Sequence, residues 1–84
     1  MTIELLYLAR LRERFGVARE SWPLPAETTV AALLDALRAR GGEFAAELAP
    51  GRAFRVAVNH EVAAPEQRIV AGDEVAIFPP VTGG

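Results

Sequence analysis

TIELLYLA, residues 2–9, alternates in a way that predicts the first strand of the fold. Every second side chain is expected to face the core, namely Ile3, Leu5, Tyr7 and Ala9. The opposite face begins polar but ends in Leu6 and Leu8, which is unusual for a face exposed to solvent. We therefore expect a strand with one buried face and one partly apolar outer face.

EVAIF, residues 74–78, predicts the last strand, with Val75 and Ile77 facing inward and Ala76 and Phe78 facing outward. The first and last strands are the most apolar segments of this kind in the chain. Because apolar strands are buried best at the middle of a sheet, we expect these two to pair at its centre.

A helix is predicted from about Val30 to Arg40, with Thr29 as its N-cap and Gly41-Gly42 ending it. Its apolar residues recur at helical spacing: Val30, Leu33, Leu34 and Leu37. The remaining expected elements are a helical turn over 10–15 ending near Gly16, a strand over 17–24, a short helix over 43–48, a strand over 53–58 and a short strand at Val62. One main helix across a mixed sheet of four to five strands is an α+β architecture, the β-grasp or ubiquitin-like domain.

The composition predicts a single globular domain over residues 1–84. The net charge is −2, with nine arginines and no lysine, and this balance argues against a nucleic-acid partner. No stretch is long enough to span a bilayer, and cysteine is absent, so we expect a cytoplasmic protein that does not act at a membrane.

The chain offers little for catalysis by its own side chains. Nucleophilic catalysis needs a Ser, Cys or Lys beside a base, and here there are one serine, Ser21, and one histidine, His60. We interpret Ser21 as a strand-end residue and His60 as a solvated turn residue. Asp73 beside Glu74 fits a turn better than an acid/base pair. We expect neither a metal site nor a bound cofactor, and we expect no enzyme activity from this chain alone.

The candidate functional segment is residues 79–84, an extended tail that continues the last strand: Pro79, Pro80, Val81, Thr82, Gly83 and Gly84. Proline holds the backbone extended, and glycine lets it lie close against another surface. The tail reaches at most about 20 Å at ~3.3 Å per residue. It is suited to entering the active site of another protein, with the Gly84 carboxyl carbon as the reactive atom.

The ending Pro-Pro-Val-Thr-Gly-Gly, with the strand before it, resembles the C-terminal signature of the small subunits of molybdopterin synthase. The segment from Leu6 to Gly16 is similar to the first strand and following turn of that family, and Val58-Asn59 matches a third block. Residues 17–50 fit by pattern more than by identity. Other sulfur carriers of the same fold share only the two glycines.

The resemblance implies a sulfur carrier in molybdenum cofactor biosynthesis. A ubiquitin-activating-like adenylyltransferase would use ATP to adenylate the Gly84 carboxylate, and sulfur from a persulfide donor would replace the adenylate to give a thiocarboxylate. The tail would then enter the large synthase subunit and deliver sulfur to cyclic pyranopterin monophosphate. The family also implies an assembly of two small and two large subunits.

The outer faces of the first and last strands predict a partner interface. Its expected residues are Leu6, Leu8, Arg12, Val62, Ala76 and Phe78. An exposed apolar patch marks an interaction site, and Arg12 at its edge can pair with a carboxylate of the partner. Two alternatives remain at this point: a segment of the same chain covers that face, or the strand register is shifted by one residue, which would exchange the faces.

Three other functions stay open on the sequence. The first is sulfur carriage for thiamine or tRNA thiolation, and the second is a ubiquitin-like protein modifier joined through Gly84 to lysines. The third is an interaction module with an inert tail. The sequence does not distinguish molybdenum from tungsten as the metal finally bound.

Overall fold

The computed structural model describes residues 2–24 and 26–80, and the predicted tail residues Val81, Thr82, Gly83 and Gly84 lie outside that range. The elements are β1 (Thr2–Tyr7), α1 (Arg10–Phe15), β2 (Arg19–Pro23), β3 (Thr28–Thr29), α2 (Val30–Arg38), α3 (Gly42–Glu47), β4 (Arg55–Val58), β5 (Glu61–Val62), β6 (Arg68–Ile69) and β7 (Glu74–Phe78).

Five strands form one mixed sheet in the order β2-β1-β7-β4-β5. The first and last strands, β1 and β7, pair in parallel, with Leu5 opposite Val75. β7 also pairs antiparallel with β4, so it is the middle strand of the sheet. The predicted pairing of the chain's first and last strands at the sheet centre is therefore confirmed.

Helix α2 buries its predicted stripe in the same core as the inner faces of β1 and β7. The Thr29 hydroxyl oxygen accepts a hydrogen bond from the Ala32 N–H at 3.2 Å, as expected of an N-cap. The helix ends at Arg38, two residues before the predicted end, and the chain then reverses through Gly41 (φ 77°) and Gly42 (φ 56°). The reversal is possible because glycine adopts positive φ without a steric penalty.

The segment after β1 departs from the prediction at one residue. Ala9 was expected on the core face, but it is exposed and has φ 53°, because the chain leaves the sheet after Tyr7 to begin α1. The predicted helical turn is confirmed as α1, and it closes at Gly16, whose N–H donates to the Arg12 carbonyl at 3.0 Å.

A second sheet of two short strands, β3 and β6, was not predicted. Each strand has only two residues, too few for an alternation to show in the sequence. The pair nevertheless places Ile69, which is fully buried, in the core.

Candidate functional site

An apolar row crosses four neighbouring strands on the outer face of the sheet. Cα partners in adjacent strands point to the same face, and here Leu6 partners Ala76, Ala76 partners Ala57, and Ala57 partners Val62. We call these four residues the outer row. Leu6 and Ala76 are half-buried, Ala57 is nearly covered, and the Val62 side chain is 67% exposed.

Two larger apolar side chains continue the outer row toward the tail. Leu8 follows β1, is exposed, and donates its N–H to the Ile77 carbonyl at 3.2 Å. Phe78 ends β7 and is half-buried, on the same face as Ala76 two residues earlier. The apolar surface therefore extends to the point where Pro79 begins the tail.

The outer face is not covered by the main helix, and its register is not shifted. Helix α2 shares a core with Ile3, Leu5 and Tyr7, which point away from the outer row. Helix α2 therefore does not cover the outer face. A register shift of one residue is also excluded, because the pairing of β1 with β7 keeps Val75 and Ile77 in the core.

Charged residues flank the outer row on its two sides. Glu4 and Glu74 are Cα partners on the side away from the tail. Arg19 is the partner of Leu6 on β2, and Arg55 is the partner of Phe78 on β4. The predicted interface residue Arg12 is exposed on α1, and its side chain makes no hydrogen bond to another of the described residues.

A partly buried polar network lies on the inner side of β1. The Tyr7 hydroxyl donates to Glu20 Oε2 at 2.6 Å, and the Arg40 guanidinium donates to the same oxygen at 2.8 Å. Arg40 also lies 4.2 Å from the centre of the Phe44 ring, and Phe44 stacks on Phe15 at 4.0 Å. These contacts tie β1 and β2 to the segments around α1 and α3.

The network shifts the acidity of its members. Burial, reinforced by the hydrogen bond to Glu20, raises the pKa of Tyr7 well above its usual range. Burial alone acts to raise the pKa of Glu20, but the hydrogen bonds from Arg40 and Tyr7 outweigh it and the pKa is lowered. The hydrogen bond to Glu20 raises the pKa of Arg40. The stable form is therefore a neutral tyrosine beside a carboxylate and a guanidinium.

A cleft of about 450 Å³ lies at the root of the tail. Pro79 and Pro80, both half-buried, form one wall, and Arg10 and Arg52 lie among its other lining residues. Glu47, only 8% exposed, lies between the two arginines and pairs with Arg10 at 3.1 Å and with Arg52 at 3.2 Å. The cleft was not predicted.

The polar residues that the sequence analysis set aside have structural or solvated positions. Ser21 is exposed on β2, and His60 is 84% exposed in the turn before β5. Asp73 accepts hydrogen bonds from the Val70 N–H at 2.9 Å and from Asn59 at 3.0 Å, which explains it as a turn residue. Over residues 2–24 and 26–80, no group of three or more His, Cys, Asp or Glu residues is placed to hold a metal ion.

Sequence reasoning missed two parts of this surface. Ala57 belongs to the outer row, and the alternation between Val56 and Val58 on β4 already carried that signal. The arginine cleft joins residues 10, 47 and 52, which no sequence motif connects. No helix within the described part of the chain is long and apolar enough to cross a membrane.

The mixed sheet has a helix across its inner face, and its last strand is followed in the sequence by Pro-Pro-Val-Thr-Gly-Gly; this fold defines a ubiquitin-like β-grasp protein. The ThiS family model matches residues 5–84, and the chain belongs to that family.

Curated relatives and solved structures agree with this placement. The molybdopterin synthase sulfur carrier subunit of Escherichia coli (strain K12) is 36% identical over 98% of this chain and 99% of its own. The subunit of the same name from Haemophilus influenzae is 35% identical over the same shares. SAMP1 from Haloferax volcanii superposes with a TM-score of 0.82 at 31% identity, with both chains fully covered. A structure of the small archaeal modifier protein 1 of H. volcanii, at 32% identity, covers 95% of this chain and 98% of its own, with a TM-score of 0.70.

Proposed function

We propose that this chain is the sulfur carrier subunit of a molybdopterin synthase and has no enzyme activity of its own. The observation that carries the proposal is the sequence Pro-Pro-Val-Thr-Gly-Gly, residues 79–84, which directly follows the central strand β7 in the chain. The identity of about a third with curated carriers of that name, over nearly the whole of both chains, supports it.

The proposed reaction takes place at the Gly84 carboxyl carbon. A carboxylate is a poor electrophile, so an adenylyltransferase first joins it to AMP from ATP and releases pyrophosphate. A persulfide sulfur then attacks the carboxyl carbon and expels AMP, and a thiol reductant cleaves the resulting S–S bond to leave a thiocarboxylate. In the large subunit the thiocarboxylate sulfur forms a bond to cyclic pyranopterin monophosphate, and water cleaves the bond between that sulfur and the Gly84 carbonyl carbon, so that the chain returns as the carboxylate. The chain holds no cofactor in this scheme, because ATP is used by the activating partner.

The outer row, with Leu8 and Phe78, is the proposed docking surface for both partners in turn. It joins the root of the tail, so a protein seated on it receives the tail directly. The exposed Arg12 on α1 pairs with a carboxylate of the partner in this proposal. The complete synthase is proposed as two small and two large subunits in the cytoplasm.

The test is the intact mass of the chain purified from its own host under non-oxidising conditions, together with sequencing of its C-terminal peptide. We expect a fraction in which one sulfur replaces one oxygen at Gly84. Adding that fraction to the large subunit and cyclic pyranopterin monophosphate should give molybdopterin. A sulfur-bearing chain that forms no molybdopterin would redirect the proposal to thiamine or tRNA thiolation.

A second candidate function is protein modification through Gly84. The likeness to small archaeal modifier protein 1 favours it. Because the chain contains no lysine, it offers no lysine side chain of its own as an acceptor, and adducts would form on other proteins. The same purification distinguishes the two, since a modifier would be recovered with Gly84 in amide linkage to target lysines.

A further inference from the structure

The cleft at the root of the tail carries an unbalanced charge. Two guanidinium groups, those of Arg10 and Arg52, face one carboxylate, that of Glu47. Both arginine side chains are about half exposed, at 50% and 46%, whereas the Glu47 side chain is 9% exposed. The negative charge is therefore buried beneath two positive charges that are open to a ligand.

Each arginine has donors left over. The hydrogen bonds that the two side chains make to other described residues all use Nη2 and all go to Glu47. A guanidinium offers five N–H donors in a planar fork that matches a carboxylate. Because Glu47 pairs with both guanidinium groups, these side chains are already ordered in the free chain, and less conformational entropy is lost when a ligand binds them.

We infer that this cleft receives an acidic side chain of the protein into which the tail inserts, an inference that rests on the proposed function. A carboxylate placed between Arg10 and Arg52, opposite Glu47, completes an alternating ring of two guanidinium and two carboxylate groups. The ring neutralises the excess positive charge, and each arginine then lies between two carboxylates.

The position of the cleft identifies the source of that carboxylate. Pro79 and Pro80 form part of its lining, so any protein that surrounds the tail also covers the cleft. The occupant is therefore a glutamate or aspartate at the mouth of the tail channel in the large subunit. The contact fixes the root of the tail and is distinct from the apolar contact of the outer row.

The test measures the dissociation constant for the large subunit at several salt concentrations. R10Q/R52Q removes both positive charges, and R10Q/E47Q/R52Q also removes the buried charge, so that Glu47 is not left unpaired. R14Q/R68Q is the matched control, because it removes two arginines that do not line the cleft. We expect both cleft variants to bind about 10-fold more weakly, with a shallower salt dependence, and the control to bind as the unaltered chain does.

Unchanged affinity and salt dependence in a folded cleft variant would overturn the inference. A companion experiment uses R10E/R52E and replaces, one at a time, the acidic residues at the mouth of the large subunit's channel by arginine. We expect one replacement to restore binding, and recovery by none of them contradicts a carboxylate occupant. The proposed function fails separately, if the unaltered chain in thiocarboxylate form delivers no sulfur to cyclic pyranopterin monophosphate.

Discussion

Asn59 shows how much one side chain organises near the tail strand. It has φ 50°, and its Oδ1 accepts the Glu74 N–H at 3.0 Å while its Nδ2 donates to Asp73 at 3.0 Å. Asparagine tolerates this backbone conformation better than most residues. The turn between β4 and β5 is thereby attached to the start of β7, which leads to the tail.

Tyr7→Phe tests the polar network on the inner side of β1 by removing a single oxygen atom. The change removes the hydroxyl that donates to Glu20 at 2.6 Å and leaves the ring in the core. We expect the free energy of unfolding, measured in urea, to fall by about 1 to 2 kcal/mol. Ser21→Ala removes an exposed hydroxyl and is the control, so equal stabilities of the two variants would contradict this role for Tyr7.

The lowered pKa of Glu20 predicts a pH dependence of stability. Because the folded state holds Glu20 ionised more strongly than the unfolded state does, its contribution is present above the ordinary glutamate pKa of about 4.3 and is lost as the pH falls below it. Glu20→Gln should be less stable than the unaltered chain at pH 7, and the difference should shrink toward pH 3. Urea unfolding at each pH measures it, and a constant difference would argue against the ionised network.

At the scale of elements, the length of each pattern decided what the sequence could predict. β1, α2 and β7 each carry enough residues for a period of 2 or 3.6 to show, and all three were predicted within two residues of their ends. β3 and β6 contain two residues each and left no periodic signal. Ala9 was misplaced because alternation does not reveal where a strand gives way to a helix.

One part of the candidate surface was predictable from the sequence, and the other part was not. The outer faces of β1 and β7 followed from alternation, since a strand with one buried face must present its other residues outward. The arginine cleft did not, because Glu47 meets Arg10 and Arg52 only after α1 and α3 have packed beside each other. Tertiary contacts of this kind leave no local pattern.

Val62→Asp tests the outer row as a docking surface. Val62 is 67% exposed, so a charge there should leave stability nearly unchanged while opposing the burial of the row by a partner. We expect the dissociation constant for the large subunit to rise about 10-fold, a cost of about 1.4 kcal/mol. Val70→Asp makes the same change at a residue that is 42% exposed and lies outside the row. Equal effects of the two substitutions on binding would refute the proposed surface.

At the scale of the whole molecule, folding and chemistry are assigned to different parts of the chain. One core joins the inner faces of β1, β4 and β7 with α2, whereas the reaction is assigned to the last carboxyl group. In the proposed function, the fold serves to present residues 79–84 to a partner that docks on the outer row.

Deletion of Gly84 tests this division. The shortened chain should keep its melting temperature and its affinity for the large subunit, because the core and the outer row are built from residues between Ile3 and Ile77. It should form no molybdopterin, since the reacting carbon is then displaced by one residue in the partner's channel. Circular dichroism, binding and product formation measure the three properties. Sulfur delivery by the shortened chain would be inconsistent with Gly84 as the acceptor.

The parallel pairing of β1 with β7 has a practical meaning for anyone who handles this protein. Thr2 accepts the Gly72 N–H at 2.8 Å, so the first strand starts beside the start of the last strand, and the tail leaves from the opposite end of the sheet. A purification tag, dye or fusion partner attached ahead of Thr2 begins at the end of the sheet remote from Pro79 and Pro80. In the proposed function, such labelled forms should still accept sulfur at Gly84 and deliver it to the large subunit, so they are suited to following sulfur transfer.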